Sequence, residues 1–155
     1  MENKIKLFEN KVVRTIWDSE QEEWYFSVVD VVAVLTESEN PNNYWKVLKN
    51  RLKKEGSQLV TNCNQLKMPS LDGKMYKTDC MNTEQLFRLI QSIPSPKAEP
   101  FKLWMAQVAK ERLDEMQETE LVLKQIQNRL YFWKMKKKSK QENPNDKKKY
   151  KRNHN

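Results

Sequence analysis

The sequence predicts an α+β fold: a small antiparallel sheet with helices, in which a winged-helix-like pair, a basic helix and a β-hairpin, follow one another. Three observations carry this. Apolar residues alternate over the first stretch of chain, from Ile5 and Leu7 to Val13 and Ile16. An amphipathic, lysine-rich segment runs from Tyr44 to Glu55 and ends at Gly56. The stretch from Leu59 to Asn82 reads as a long hairpin around Pro69-Ser-Leu-Asp-Gly73, a turn sequence.

Taken in order, Lys4 to Ile16 reads as a hairpin turned by Glu9-Asn-Lys11, and Trp24-Tyr-Phe26 as a further strand. Ser27 opens a helix, with Asp30 three residues on as in a capping box. Val28, Val31, Val32 and Leu35 recur at helical spacing, which outweighs their β-branching. Asn40-Pro-Asn-Asn43 is a turn and cap cluster before the helix Tyr44 to Glu55. Its apolar stripe is Tyr44, Trp45, Leu48 and Leu52, and core burial suits these rings better than base stacking. Gly56 stands where a left-handed C-terminal cap belongs. A loop of Ser70 to Gly73 would set Cys63 opposite Cys80, as two buried thiols. Asn82-Thr-Glu-Gln85 caps a helix carrying Leu86, Leu89, Ile90 and Ile93, stopped by Pro94. After Pro100 the core face Phe101, Trp104, Met105 and Val108 runs to about Met116. Three segments follow: a domain over 1–116, a helical extension over 117–133 bearing Leu123, Ile126, Leu130 and Trp133, and a disordered Lys-rich tail over 134–155.

Charge is unevenly distributed. The chain of 155 residues carries +8, and Lys134 to Asn155 alone, with ten basic and two acidic residues, accounts for all of it. The basic balance therefore says nothing about the body. Within the body, Met1 to Glu39 sums to −5 and Asn40 to Asn82 to +5. The tail suits RNA, DNA, anionic lipid or mere solubility equally well.

Scarcity excludes chemistries. With Gly56 and Gly73 alone, no phosphate-cradling glycine loop can form. The sole histidine is His154, so no Ser-His or Cys-His pair lies in the fold. Cys63 and Cys80 cannot close a four-ligand zinc site, and the carboxylates Asp72, Asp79, Glu20, Glu22 and Glu23 have no spacing that fixes a two-metal geometry. The reading is a non-enzyme with no catalytic residues, cofactor or metal. No apolar run approaches a bilayer's ~20 residues, and the start lacks a leader's apolar region. Both point to a cytoplasmic protein that makes no use of a membrane.

The order helix, turn, basic helix, then hairpin suits a DNA reader, with the helix in the major groove and the hairpin on the backbone. Lys46, Lys49, Lys53 and Lys54 would dock on phosphates, and Asn50 and Arg51 would offer base contacts, Asn43 being a second amide of that kind. Lys67, Lys74 and Lys77, near the hairpin tip, would hold the backbone. The same spacing also fits a solvated face.

Four stretches bear on this choice: Phe8-Glu-Asn-Lys-Val-Val-Arg14, Trp24-Tyr-Phe-Ser-Val-Val-Asp-Val-Val32, Met81-Asn-Thr-Glu-Gln-Leu86 and Ser92-Ile-Pro-Ser-Pro-Lys-Ala-Glu-Pro-Phe-Lys-Leu-Trp104. Together they resemble the BRO N-terminal domain of phage antirepressors, the last being similar to the branch of DNA-damage-inducible protein D. The resemblance covers about Ile5 to Met116. It implies an α+β DNA-binding domain in phage or prophage gene regulation, without catalysis, and it transfers no base-contacting residue. It departs at Leu35-Thr-Glu-Ser-Glu-Asn-Pro41, where many relatives have a glycine turn, and after about Glu120, where that branch continues into an acidic helical region. A truncated or frame-shifted C-terminus is expected there. The expected function is the DNA-binding domain of a phage- or prophage-derived transcriptional regulator, and a homodimer would double its DNA contacts. The alternative is a module that binds a repressor protein through its acidic N-terminal segment and touches no DNA.

Overall fold

The computed structural model describes residues 1–142. The chain divides into two compact units, Met1–Ala109 and Lys110–Asn155.

In the first unit, β1 (Glu2–Phe8) and β2 (Lys11–Asp18) form the expected hairpin. Its turn residues Glu9 and Asn10 have φ of 48° and 65°, as the primed turns that match strand twist require. β3 (Glu23–Ser27) follows, then α1 (Val28–Thr36), α2 (Pro41–Lys54) and the single turn α3 (Gln58–Thr61). β4 (Asn64–Pro69) and β5 (Met75–Asn82) make the second hairpin, and α4 (Thr83–Ile90) and α5 (Ala98–Glu142) complete the order. The five strands form one sheet, β1-β2-β3-β5-β4, antiparallel throughout. The fold is thus α+β.

Strand alternation gives the sheet two apolar faces. Ile16, Tyr25, Met68 and Cys80 pack together on one, with Leu66 against them. Thr15 and Phe26 are paired neighbours of Ile16 and Tyr25, so they point the other way. There Phe26, Phe8, Phe101 and Trp104 form an aromatic cluster with centroids 5.2–6.1 Å apart.

Helix ends follow their sequence signals. Ser27 Oγ accepts from the Asp30 amide and Asn40 Oδ1 from the Asn43 amide. Asn82 and Gln85 form a complete reciprocal capping box. At the end of α2, Gly56 (φ +74°) donates to Lys53 O and Ser57 to Leu52 O, a Schellman closure.

The segment Ser92 to Trp104 ties remote parts of this unit together. Ser95 Oγ–H donates to Leu35 O at 2.6 Å and Trp104 Nε1–H to Leu7 O at 2.9 Å. Lys97 bridges Glu9 at 3.0 Å and Glu37 at 2.6 Å. Both glutamates have left-handed backbone, φ 48° and 54°, a conformation costly for a side chain of this kind. One lysine thus fastens two strained turns.

Several expectations need correction. The α1 capping box is half made, because the Asp30 carboxylate turns to Arg14 instead of the cap. α2 begins at Pro41 rather than Tyr44, since Asn40 caps it and Pro41 is preset for a first turn. Leu59 to Thr61 are helical, not strand, because Ser57 caps them locally. The hairpin loop is Ser70 to Lys74, as Ser70 N–H bonds Lys74 O and Asp72 takes the Lys74 amide. That one-residue slip sets Asn64, not Cys63, opposite Cys80, although the Cys63 thiol still reaches Cys80 O at 3.4 Å.

In the second unit α5 continues as helix. The buried face of α5 stops at Val108, short of Met116. Leu123, Ile126, Leu130 and Trp133 are helical as expected, and all are exposed. The helix also takes in Lys134 to Glu142, expected to be disordered. No glycine or proline interrupts the chain between Pro100 and Pro144, and lysine, methionine, glutamine and glutamate favour helix. The remainder of the expected tail, 143–155, lies outside the described residues.

Candidate nucleic-acid interface

The basic helix and the basic hairpin are joined at one carboxylate. Asp79, on β5, accepts from Trp45 Nε1–H at 2.8 Å and Lys49 Nζ at 2.9 Å through Oδ2, and from Gln65 Nε2 at 3.2 Å through Oδ1. Burial works against its charge. The hydrogen bonds from Lys49, Trp45 and Gln65, with the Lys49 charge, outweigh that and hold the carboxyl below its ordinary range. Asp79 therefore serves as a clamp between α2 and the hairpin. Lys49, expected to face phosphates, spends its charge here, and its side chain is only 34% exposed.

The rest of α2 presents a different stripe. Asn43, Lys46, Asn50 and Lys53 recur at i, i+3, i+7 and i+10 and are all exposed, with Lys54 one turn from Asn50. Trp45, Leu48 and Leu52 occupy the opposite, buried side. Among the described residues, none of Lys46, Lys53 and Lys54 pairs with a carboxylate. Arg51 lies off the stripe and donates to Ser92 O at 3.4 Å. Arg51, Lys53 and Lys54 also sit in the last helical turn, where cations suit the helix dipole, so part of this charge serves stability.

In the hairpin, Lys67 and Lys77 stand directly opposite each other across the strands, both exposed. Like charges so placed destabilise a sheet. β3 pairs only with Cys80 to Asn82 of β5, so the part bearing these lysines is a two-stranded ribbon. Lys74 is exposed at its tip, where Asp72 accepts from the Lys74 amide and the Tyr76 hydroxyl. The Tyr76 hydroxyl, and next the Lys74 amide, keep the Asp72 carboxyl below its ordinary range.

An open recess of about 790 Å³ separates ribbon and helix. Pro41, Asn42 and Trp45 line it from α2, and Ser70, Leu71, Tyr76 and Lys77 from the ribbon. Its floor holds a network that the sequence did not reveal. Arg14 donates through Nε and Nη2 to Asp30, through Nη1 to Pro69 O and through Nη2 to Ser27 Oγ, at 2.8–3.2 Å. The signal was a lone arginine in the apolar strand β2 and a lone aspartate among the valines of α1.

The nine expected contacts thus sort themselves. Lys46, Asn50, Lys53 and Lys54 share the exposed side of α2, and Lys67, Lys74 and Lys77 the ribbon, while Lys49 and Arg51 bond to the protein itself. Cys80 is buried as expected and Cys63 only half-buried; both are free thiols, which burial pushes up to about 12 and about 11 respectively, so neither is a ready nucleophile. Among the described residues no three metal-binding side chains come together, and no helix is long and apolar enough to cross a membrane.

Residues 12–111 match the family model described as BRO family, N-terminal domain. No curated protein and no solved structure matches the chain.

Proposed function

The chain belongs to the BRO family through its N-terminal domain, and from that premise we propose that its body binds DNA as part of a phage- or prophage-derived, antirepressor-like regulator of transcription acting in the cytoplasm. It has no catalytic role. The observation that carries this is the unpaired, mutually repelling lysine pair Lys67 and Lys77 beside a helix stripe of alternating amides and lysines. Such charge costs stability unless a polyanion relieves it. In this reading α2 enters a groove, with Asn43 and Asn50 toward base edges and Lys46, Lys53 and Lys54 toward phosphates. The ribbon follows the backbone as a wing, through Lys67, Lys74 and Lys77.

The test is duplex-DNA binding of the full chain as a function of salt. Each phosphate contact removed should lower the slope of log K against log salt by about 0.9. Lys67→Glu/Lys77→Glu and Lys46→Glu/Lys53→Glu should each weaken binding and flatten that slope. Unchanged affinity in both, with the fold intact, would move the DNA contact to the C-terminal lysines and remove the proposal for the body. A second reading, docking of a repressor protein, is favoured by Ile5, Leu7 and Val12, which lie on one sheet face and are 61%, 58% and 52% exposed.

A further inference from the structure

From Met116 to Trp133 the chain presents an apolar seam, in which Lys137 Nζ of the same helix lies 4.6 Å over the Trp133 ring. Met116, Leu123 and Leu130 recur every seven residues. Thr119, Ile126 and Trp133 interleave at +3, which is an a/d heptad pattern. Leu123, Ile126, Leu130 and Trp133 are 53%, 48%, 53% and 57% exposed. A helix with a sustained seam of this type gains its stability from a second helix rather than from water.

Charge identifies the occupant. Glu111 to Glu120 holds five acidic residues and one basic, −4, while Lys124 to Lys138 holds six basic and none acidic, +6. A parallel pairing of two copies sets Glu115 against Glu120 and Arg129 against Lys134, both repulsive. An antiparallel pairing sets the acidic half of each helix along the basic half of the other, and opposes the helix dipoles favourably. In the register that faces Leu123 with Ile126, Met116 also meets Trp133 and Leu130 meets Thr119. Glu115 then flanks Arg129 and Lys136, and Glu120 flanks Lys134. We propose that this segment of α5 is a self-association surface, and that two copies of the chain pair through it as an antiparallel coiled coil.

Sedimentation and light scattering of the full chain test this. A dimer that dissociates on dilution is expected. Leu123→Asp/Ile126→Asp should raise its dissociation constant ~100-fold or more, each decade being ~1.4 kcal/mol. These side chains lie outside the first unit, so amide-exchange protection of its five-stranded sheet should stay unchanged. Orientation is read from charge. Glu115→Lys/Glu120→Lys and Arg129→Glu/Lys134→Glu should each dimerise more weakly than the native chain, and their mixture should recover a heterodimer. A monomeric native chain overturns the proposal, as does a dimer indifferent to the Asp pair. Charge variants that dimerise on their own as well as the native chain overturn the antiparallel arrangement.

Discussion

The two parts of this molecule use the same helical periodicity and spend it differently. In the first unit Leu86, Leu89 and Ile90 of α4, and Phe101, Met105 and Val108 of α5, are all buried. Beyond Ala109 apolar residues recur at helical spacing again, and Leu123, Ile126, Leu130 and Trp133 are each about half exposed. An apolar stripe states that a partner is needed. It does not state whether that partner lies in the same chain.

The largest test of this contrast compares two phenylalanines. Phe26 is fully buried in the aromatic cluster, so Phe26→Ala should destabilise the first unit by ~3–5 kcal/mol in denaturant unfolding. Phe132 is 65% exposed, and Phe132→Ala should shift that transition by no more than ~0.5 kcal/mol. Equal losses would erase the distinction between the two parts. Next comes Arg14→Met, which leaves Asp30 without its bidentate partner. Removing one member of a fully buried pair costs ~3–5 kcal/mol, and the partial exposure of this pair lowers the expected loss to ~2 kcal/mol. Asn82→Ala should cost ~1 kcal/mol, by removing one half of the α4 capping box.

The smallest expected effect depends on pH. Asp79 has a folded pKa below its unfolded value of 3.8, so its stabilisation is present above that value and is lost as pH falls through the folded pKa. Asp79→Asn should therefore flatten the acid limb of first-unit stability below about pH 4, and leave the helical signal of the second unit unchanged. An acid limb as steep as in the native chain would deny Asp79 that role.

The sequence disclosed what depends on local chemistry. Ser27, Asn40, Asn82 and Gly56 announced helix ends because each satisfies backbone groups within a few residues of itself. The hairpin register was missed by one residue, because it turns on whether Lys74 joins the loop, which the bonds from Ser70 N–H to Lys74 O and from Lys74 N–H to Asp72 Oδ1 bring about. The site was half legible. Helical spacing showed a basic helix, but Lys49 and Lys53 look alike in sequence. Only the arrival of Asp79, thirty residues later, separates a lysine that holds the fold from one that faces solvent. The Arg14 network escaped for the same reason, since its partners come from β4, β3 and α1 at once.

The opposed Lys67 and Lys77 have a consequence for heat stability. Their repulsion raises the free energy of the empty folded state, and an anion that settles between them lowers it. Affinity and melting temperature are therefore two readings of one linked equilibrium. Lys77→Gln should melt slightly higher than the native chain in dilute buffer, gain less from added salt, and gain least from a polyphosphate. Under the proposed DNA-binding reading, the pair makes the unoccupied protein a little less stable than its architecture allows, and occupancy would return the difference.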